Sequence, residues 1–424
     1  MKQYLNKLPK DIHDLIYLIS RFASKRKAYA YLVGGIVRDL ILGIPNLDLD
    51  IVIQRKGLTF ASEFARRHNA KLTTHPRFGT ATLIMPNKIK LDISTARLEV
   101  YPEPASLPIV RPGTIKEDLA RRDFTINALA IDLLPESFGN LVDCHRGRQD
   151  LEAGVIRILH DLSFIDDPTR IIRAVRFEQR LKFRIEPHSL KLLKKAAKKG
   201  MLRRVSPHRL RDEITLILKE PLALKCIRRL GKLVKFDFIH PKLKLNKATL
   251  RYLSAIESQI NWFNVNSPEY RSLDNWLMYF NGLLNSLNKR QLNQVCGRFG
   301  LCRREIKRII SYNRFPSKKS LLLSRKNISP SRIYRILEPL SPEVVLLIKA
   351  RYKNKFLNHN IEMFFRYYNK IRPYVSGKDL SNLGLKPGPD YKKILNRLLA
   401  LQLDGRINSR QVALKWIRKW LSSS

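Results

Sequence analysis

The 424-residue sequence has few cysteines and no long apolar segment. Its four cysteines, Cys144, Cys226, Cys296 and Cys302, form no CxxC pair, and no histidine lies at zinc-finger spacing. This pattern excludes a disulfide scaffold and a structural zinc site, and it favours a reducing compartment. No apolar run reaches the roughly 18 residues of a membrane span, and the start MKQYLNKLPKDIHDL lacks a signal-peptide core. We therefore expect a soluble, cytoplasmic protein without a membrane segment.

Acidic residues are scarce relative to basic ones. The chain has 36 Asp and Glu against 81 Lys and Arg, which gives a formal net charge of +45. A folded surface of this charge repels itself, and a polyanionic partner relieves that repulsion. The excess extends over both halves of the chain, which suits RNA or DNA better than a small acidic metabolite. A lysine-rich proteome is the alternative explanation.

Apolar periodicity predicts an α+β fold. Residues 11–27 have helical spacing, and the segments AYAYLVGG, LDLDIVI, TATLIMP and KIKLDIS read as strands. VRDLILG and TFASEFARRHN read as helices between them, and FTINALAIDLL is a further β-rich run. After residue 150 almost every segment has helical spacing, broken by short Pro, Gly or polar stretches. We predict a head with a mixed β-sheet and helices, followed by an extended all-α region.

Two acidic residues, Asp48 and Asp50, lie in the predicted strand LDLDIVI. Residues two apart on a strand point to the same side, so both carboxylates would project together. Two like charges on an apolar strand are costly unless a cation neutralises them, and Mg²⁺ prefers such oxygen ligands. Asp92 in KIKLDIS would add a third carboxylate if the two strands are neighbours. A polar edge strand is the alternative, because a DxD pair is common by chance.

A double glycine precedes the acidic pair. Gly34 and Gly35 follow the strand AYAYLV and begin the helix IVRDLILG, which carries Arg38 in its first turn. Glycines let a backbone approach a phosphate, and a helix N-terminus favours anions. The pair alone is often only a turn, but glycines, arginine and DxD together indicate nucleotide binding.

Five segments in order resemble one known family. GGIVRDLILG followed by DLD is similar to the first motif of class II tRNA nucleotidyltransferases and bacterial poly(A) polymerases, in the DNA polymerase β-like superfamily. RRDFTINALA at 121–130, DLEAGVIRIL at 150–159 and DDPTRIIRAVRF at 166–177 resemble the next three motifs. GKDLSNLGLKPGPDYKKIL at 377–395 resembles a tail segment of these enzymes. The resemblance is close over residues 25–220 and looser in the tail.

The resemblance implies four domains and a metal-dependent transfer reaction. It implies a catalytic nucleotidyltransferase head at 1–145, a base-selecting helical neck at 146–220, and tRNA-binding body and tail at 221–340 and 341–424. In the family, the 3′ hydroxyl of tRNA attacks the α-phosphate of CTP or ATP and pyrophosphate leaves. Two Mg²⁺ ions would be held by Asp48 and Asp50, with Asp92 as the less secure third carboxylate.

The resemblance also implies a set of nucleotide-binding residues. They comprise triphosphate contacts from the first two motifs and base-reading or phosphate contacts from the fourth: Gly34, Gly35, Arg38, Arg121, Arg122, Asp123, Asn127, Asp167, Arg170, Arg173 and Arg176.

The fourth motif has a physical reading of its own. Asp167, Arg170, Arg173 and Arg176 are three apart on a predicted helix, so they share a broad face. A carboxylate accepts from an exocyclic amino group and a guanidinium donates, so Asp167 with Arg170 can imitate a templating base. An exposed basic helix is the alternative. The family has glutamate where this chain has Asp166, which loses one methylene and leaves its role open.

The sequence leaves several activities open. We favour complete CCA addition to tRNA, with CC-only or A-only addition and poly(A) synthesis as alternatives and a non-catalytic RNA-binding protein as a more remote one. The segment from Arg97 to Lys116 contains PEPASLP and RPG, so it reads as a loop, and the family uses this region to switch to A addition. The oligomeric state stays open.

The tryptophans and one basic cluster are further candidates for contacts with RNA. The tryptophans Trp262, Trp276, Trp416 and Trp420 lie in helical runs and are expected to pack rather than to stack on bases. The basic residues Arg303, Arg304, Lys307 and Arg308 suit an RNA-contacting face and a solvated helix equally well.

Overall fold

Short apolar strands form the sheets of the first half of the chain. The structure, a computed structural model, describes residues 2–422. The strands are β1 Tyr29–Val33, β2 Leu49–Gln54, β3 Lys71–His75, β4 Thr80–Ile84, β5 Lys90–Thr95, β6 Arg97–Val100, β7 Ile109–Pro112, β8 Ala130–Asp132, β9 Leu141–Val142, β10 Val155–Ile156 and β11 Arg184–Ile185.

Seven of these strands form one mixed sheet in the order β3-β4-β5-β2-β1-β8-β9. Strands β2 and β5 are parallel, and the other neighbouring pairs are antiparallel. Leu49, Ile51, Val52 and Ile53 of β2 are all buried, because the strand runs through the middle of the sheet. The register pairs Asp50 with Asp92. The predicted mixed α+β head is therefore confirmed.

The chain divides after Phe238 into two compact units. Helices make up most of the remaining described residues of both units. Those of the first unit are α1 Lys2–Leu5, α2 Lys10–Lys25, α3 Gly35–Leu42, α4 Gly57–Arg67, α5 Ile115–Ala120, α6 Gly147–Glu152, α7 Ser163–Asp166, α8 Thr169–Leu181, α9 Pro187–Lys198, α10 Pro207–Lys219 and α11 Ala223–Leu233.

The second unit is all helical within its described residues. Its helices are α12 Lys247–Asn266, α13 Asn275–Leu283, α14 Lys289–Arg298, α15 Arg303–Asn313, α16 Ser317–Leu323, α17 Pro330–Leu337, α18 Pro342–Arg351, α19 Lys355–Arg366, α20 Gly377–Asn382, α21 Pro389–Leu403 and α22 Arg410–Ser422. Between residues 2 and 422, no helix is long and apolar enough to cross a bilayer. The domain boundaries at 145, 220 and 340 stay predictions.

The expectation of a loop from Arg97 to Lys116 was wrong. Strands β6 and β7 form an antiparallel ribbon with Val100 opposite Ile109, and α5 begins at Ile115. The breakers Pro102, Pro104 and Pro108 all fall in the connection between the two strands, so they leave the ladder intact.

The tryptophans pack as expected. Trp276 is buried in α13, and Trp416 and Trp420 pack against the core of the last three helices. Trp262 lies against Phe365 and beneath the ammonium of Lys349, whose nitrogen is 3.6 Å from the ring centroid. None of these rings is presented as a free stacking platform.

The backbone of Thr125 lies too close to Gly147 to leave room for a side chain. A Cβ there would lie 2.2 Å from the carbonyl oxygen of Thr125, which begins the 3₁₀ turn Thr125–Asn127. Gly147→Ala should therefore destabilise the first unit by about 1–3 kcal/mol, measured as a lower urea midpoint by circular dichroism.

The control is Gly297→Ala in α14, where a Cβ meets nothing within 4 Å. This variant should unfold at the wild-type midpoint or slightly above it, because alanine favours helix more than glycine does. Equal midpoints for the two alanine variants would contradict the proposed clash.

Candidate active site

A cleft of about 670 Å³ in the first unit collects nearly all of the residues singled out from the sequence. It is lined by every one of them except Asp92: Gly34, Gly35, Arg38, Asp48, Asp50, Arg121, Arg122, Asp123, Asn127, Asp167, Arg170, Arg173 and Arg176. Residues as far apart in the chain as Gly34 and Arg176 therefore line one cleft.

The acidic pair lies at the start of strand β2. Asp50 is the second residue of the strand, but Asp48 precedes it, which corrects the prediction that both lie within the strand. Both side chains are exposed to the cleft, and neither carboxylate has a hydrogen bond or ion pair within residues 2–422. Asp92 accepts from Thr82 Oγ1 and from Lys90 Nζ, both at 2.5 Å.

The carboxylates of Asp48 and Asp50 are thus available for a cation, whereas that of Asp92 is already compensated. No group of three or more metal-type side chains occurs among the described residues. Two free carboxylates suffice for Mg²⁺, which takes one or two of them and completes its shell with water and phosphate oxygens.

The electrostatics of Asp50 support this reading. Desolvation by the surrounding cleft wall raises the pKa of Asp50 to about 6. Arg122 opposes the rise, and the nearby charges of Asp92 and Asp48 add to it. The site therefore holds negative charge that the protein itself leaves only partly compensated.

Gly34 lets an arginine approach the backbone beside this site. Gly34 has a φ of +75°, and a Cβ there would lie 2.7 Å from Arg122 Nη1. Arg122 donates through Nη2 to the fully buried Asp118 at 2.9 Å, while its buried Nε has no partner within the described residues. Arg121 also binds Asp118 and donates to Glu99 at 3.1 Å. Arg122 therefore lines the cleft with Nη1 beside Gly34 and without a hydrogen bond within the described residues, whereas Arg121 is largely committed to protein partners.

Arg38 lines the cleft but is bonded mainly to protein partners. It is 3% exposed, binds the carboxylate of Asp39 through two nitrogens at 2.7 and 2.8 Å, and donates to Asn127 Oδ1 at 2.7 Å. Asn127 donates to Asp123, which accepts from Arg173 at 2.8 and 2.6 Å. These five side chains form a buried polar chain between α3 and α8.

The charges of this chain hold one another in place. Burial alone would raise the pKa of Asp123, but Arg173 and Asn127 bring it down to about 2. Burial likewise opposes the charge on Arg173, yet Asp123 and Glu213 hold its pKa above the ordinary value. Arg173 and Asp123 therefore form an ion pair in the wall of the cleft.

Arg176 contrasts with Arg173. It is 7% exposed and makes no hydrogen bond within the described residues, its nitrogens being 3.7 Å from Glu213 and from Glu220. Its guanidinium carbon lies 5.0 Å from the centroid of the Phe177 ring, which Arg38 approaches equally closely.

The predicted base-reading pair is assembled at a helix start. Asp167 lies between α7 and α8, so it does not share a helix with Arg170, as the three-residue spacing had suggested. Its Oδ1 accepts from Thr169 and, at 2.7 Å, from Arg209, whereas Oδ2 has no partner within residues 2–422. Arg170 is 4% exposed and donates to Ser163 Oγ and to the carbonyl of Arg121.

Asp166 does not contact Arg170 by a hydrogen bond. Its Oδ2 lies 3.9 Å from His160 Nδ1, and desolvation raises the pKa of Asp166 against the opposing effects of His160 and Arg170. The shorter side chain of Asp166 therefore affects its contact with His160, and not a hydrogen bond that orients Arg170.

Sequence reasoning missed several side chains that the cleft depends on: Asp39, Asn46, Glu99, Tyr101, Asp118, Phe177, Arg209 and Glu213. Tyr101 donates to Glu99 at 3.1 Å, and burial raises its pKa to about 12. Arg209 binds Asp167 and donates to the carbonyls of Ala105 and Ser106 in the β6–β7 connection. Their signal in the sequence is weak, because isolated charged residues are ordinary on helices and turns.

Two family models match the chain in the region of the cleft. "Poly A polymerase head domain" matches residues 30–157, and "Probable RNA and SrmB- binding site of polymerase A" matches residues 182–246. The first model covers the sheet and the acidic pair, and the fold and cleft are those of the nucleotidyltransferase class of enzymes.

Similar proteins extend the match to nearly the whole chain. An A-adding tRNA nucleotidyltransferase of Halalkalibacterium halodurans is 33% identical over 98% of this chain and 94% of its own length. One from Geobacter sulfurreducens is 36% identical over 95% of this chain, which spans only 46% of that relative's length. The chain belongs to the tRNA nucleotidyltransferase and poly(A) polymerase family.

Solved structures agree with this assignment. The Thermotoga maritima CCA-adding enzyme complexed with tRNA is 33% identical, with a TM-score of 0.75 over 99% of this chain and 98% of that one. Structures of a CCA-adding enzyme with ATP and with CTP are each 33% identical with TM-scores of 0.76, covering 100% and 99% of this chain and 97% and 98% of theirs.

The raised pKa of Asp50 predicts a pH-dependent gain from removing its charge. Above pH 6 the folded protein carries an ionised Asp50 that its surroundings disfavour, whereas near pH 4 the carboxyl group is largely protonated in the folded state. Asp50→Asn should therefore raise the melting temperature of the metal-free protein above pH 6.5, and the gain should shrink below pH 6.

The control is Glu136→Gln, an exposed acid outside the cleft, which should show no such pH-dependent gain. Differential scanning fluorimetry in EDTA between pH 4.5 and pH 8 measures both. A gain for Asp50→Asn that is constant across this range would show that charge at Asp50 is not its cause.

Proposed function

We propose that this protein transfers nucleotides from nucleoside triphosphates to the 3′ end of tRNA, the terminal adenosine being the addition with the most support. The observation that carries the proposal is the presence, in one cleft, of two uncompensated carboxylates and a fixed carboxylate–guanidinium pair. Membership of the family supports the reaction class, and the net charge of +45 supports an RNA partner.

Asp48 and Asp50 are proposed to hold Mg²⁺. Their free carboxylate oxygens fit this ion, which when bound neutralises charge on the attacking and leaving oxygens of a phosphoryl displacement. Arg122, which still has unpaired donors beside Gly34, would contact the triphosphate. Arg38 would act by fixing Asn127 and Asp39 rather than by touching phosphate itself.

Base choice is proposed to depend on the two oxygens of Asp167. Arg209 and Thr169 hold Oδ1, so the carboxylate has a fixed orientation. The free Oδ2 can accept from the exocyclic amino group that C and A carry and that U lacks. Arg170, fixed by Ser163, supplies donors for the ring acceptors of the same bases.

The comparisons support adenosine addition in two ways. A-adding relatives match at 33–36% identity over most of this chain, and CCA-adding enzymes, which match as solved structures at 33% identity, add the same terminal nucleotide. Complete CCA addition is the second candidate, because a structure of a CCA-adding enzyme with CTP is similar to this chain over almost its full length.

The cytoplasm is the proposed location. All four cysteines are free thiols in the structure, which agrees with the reducing compartment expected from the sequence.

Truncated tRNAs test the function. We expect Mg²⁺-dependent incorporation of one AMP from labelled ATP into tRNA that lacks only its last nucleotide. Incorporation of CMP into tRNA lacking two or three nucleotides would establish complete CCA addition, and its absence would establish A-only addition. Asp48→Ala should abolish incorporation and leave tRNA affinity unchanged.

Three outcomes would oppose the proposal. Incorporation of CMP alone would identify a CC-adding enzyme, and long A tails on unrelated RNA would identify a poly(A) polymerase. No incorporation on any tRNA, with binding retained, would identify an RNA-binding protein without catalysis.

Asp167→Asn tests the base-reading role. The amide replaces an acceptor with a donor, so U and G, which carry carbonyls at the matching positions, should compete better with C and A. We expect the ratio of kcat/KM for ATP over GTP to fall at least tenfold, which equals about 1.4 kcal/mol. The exposed Asp161→Asn, six residues upstream, is the control, and an unchanged ratio for Asp167→Asn would refute the assignment.

A further inference from the structure

Asp48 needs a support that Asp50 does not. Asp50 lies within β2 and is fixed by its ladder position opposite Asp92. Asp48 precedes the strand, whose first paired residue is Leu49, so no ladder position sets its backbone. The segment from Ile44 to Asp48 has no regular secondary structure, and a carboxylate carried on such a segment loses conformational freedom when it binds a cation.

One side chain, that of Asn46, provides this support. Its Oδ1 accepts from the backbone N–H of Asp48 at 2.9 Å, and its Nδ2 donates to Asp39 Oδ2 at 2.8 Å. The orientation of the amide is unambiguous, because a backbone N–H only donates and an ionised carboxylate only accepts. The amide thus connects the backbone at Asp48 to helix α3.

The anchor at the other end is rigid. Asp39 is 1% exposed and is held by two hydrogen bonds from Arg38, which continues through Asn127 and Asp123. A side chain tied to this buried chain cannot drift with the loop. Asn46 itself is half-buried at the edge of the cleft, so its replacement leaves the packed core intact.

We propose that Asn46 is a positioning residue that fixes the backbone at Asp48 and so preorganises its carboxylate for a divalent cation. This inference rests on the proposed function only for the presence of the cation. Side chains around a metal site that orient its ligands commonly contribute 10- to 100-fold in metal affinity.

The chemistry of the amide makes the proposal specific. Alanine removes both hydrogen bonds. Serine has a hydroxyl that can still accept from the N–H of Asp48, as in a serine turn, but it is too short to reach Asp39. The two variants therefore distinguish the hydrogen bond to the backbone of Asp48 from the hydrogen bond to Asp39.

The first experiment measures Mn²⁺ binding to the full chain by electron paramagnetic resonance, without tRNA or nucleotide and below the melting temperature of each variant. We expect Asn46→Ala to raise the Mn²⁺ dissociation constant roughly tenfold and Asn46→Ser to lie between it and the wild type. The melting temperature of the metal-free protein should change little.

The second experiment measures incorporation against Mg²⁺ concentration. Asn46→Ala should raise the half-saturating Mg²⁺ concentration, recover most of its rate at high Mg²⁺, and keep the wild-type affinity for tRNA. The matched control is Asn87→Ala, since Asn87 Oδ1 accepts from the N–H of Ile89, also two residues on, in the exposed turn between β4 and β5. This control should bind Mn²⁺ like the wild type.

The outcomes separate the inference from the function. Wild-type Mn²⁺ affinity in Asn46→Ala, or an equal loss in Asn87→Ala, overturns the positioning role. Wild-type affinity in Asn46→Ser overturns the anchor at Asp39. If the wild type incorporates nothing on any tRNA, the proposed function fails, whereas an active wild type with unaltered variants shows that the inference alone fails.

Discussion

The buried ion pair between Asp123 and Arg173 is the interaction on which the cleft depends. Asp123 precedes the turn Thr125–Asn127, and Arg173 lies on α8, 50 residues later. Because Asp123 is buried while Arg173 is only half-buried, removing Arg173 would leave an uncompensated buried carboxylate. Asn127 and Arg38 extend the pair to α3, so one set of polar contacts connects the turn Thr125–Asn127 with helices α3 and α8.

The hydrogen-bond partners of the arginines indicate which of them hold the fold together and which can bind a ligand. Arg38 and Arg173 have nitrogens committed to protein acceptors, and their removal would leave buried acceptors unsatisfied. Arg122 donates through Nη2 to Asp118, whereas its Nη1, beside Gly34, makes no hydrogen bond within the described residues. Clefts that bind phosphates need donors of the second kind, because a donor already bonded to a carboxylate gains little by exchanging it for a phosphate.

Most of the fold, and the location of the cleft, could be predicted from the sequence, because both depend on local patterns. The strands through Asp50 and Asp92 follow from apolar alternation, but that they are neighbours is seen only in the structure, since a mixed sheet does not fix the order of its strands. The ribbon of β6 and β7 could not be predicted, since its prolines masked two short strands. The ion-pair partners of the charged groups could be predicted only where they are close in sequence. Asp118 pairs with arginines three and four residues later, as helical spacing allows. Arg209 pairs with Asp167 across 42 positions, and no spacing rule predicts such a contact.

The sequence and the structure differ most in which of the three carboxylates lack a protein partner. The sequence offered Asp92 as a less secure third carboxylate beside Asp48 and Asp50, and in the structure Thr82 and Lys90 occupy the oxygens of Asp92. Lys90 lies two residues before Asp92 on the same strand, so the side chain that neutralises the third carboxylate comes from the element that presents it. The resulting asymmetry leaves two acids with uncompensated charge at the mouth of a basic cleft. In a chain with a net charge of +45, two such acids stay without protein partners only where nearby cationic side chains are bonded to other acceptors. The polar chain from Asp39 to Arg173 contributes to this, because it commits the guanidinium groups of Arg38 and Arg173 to other partners.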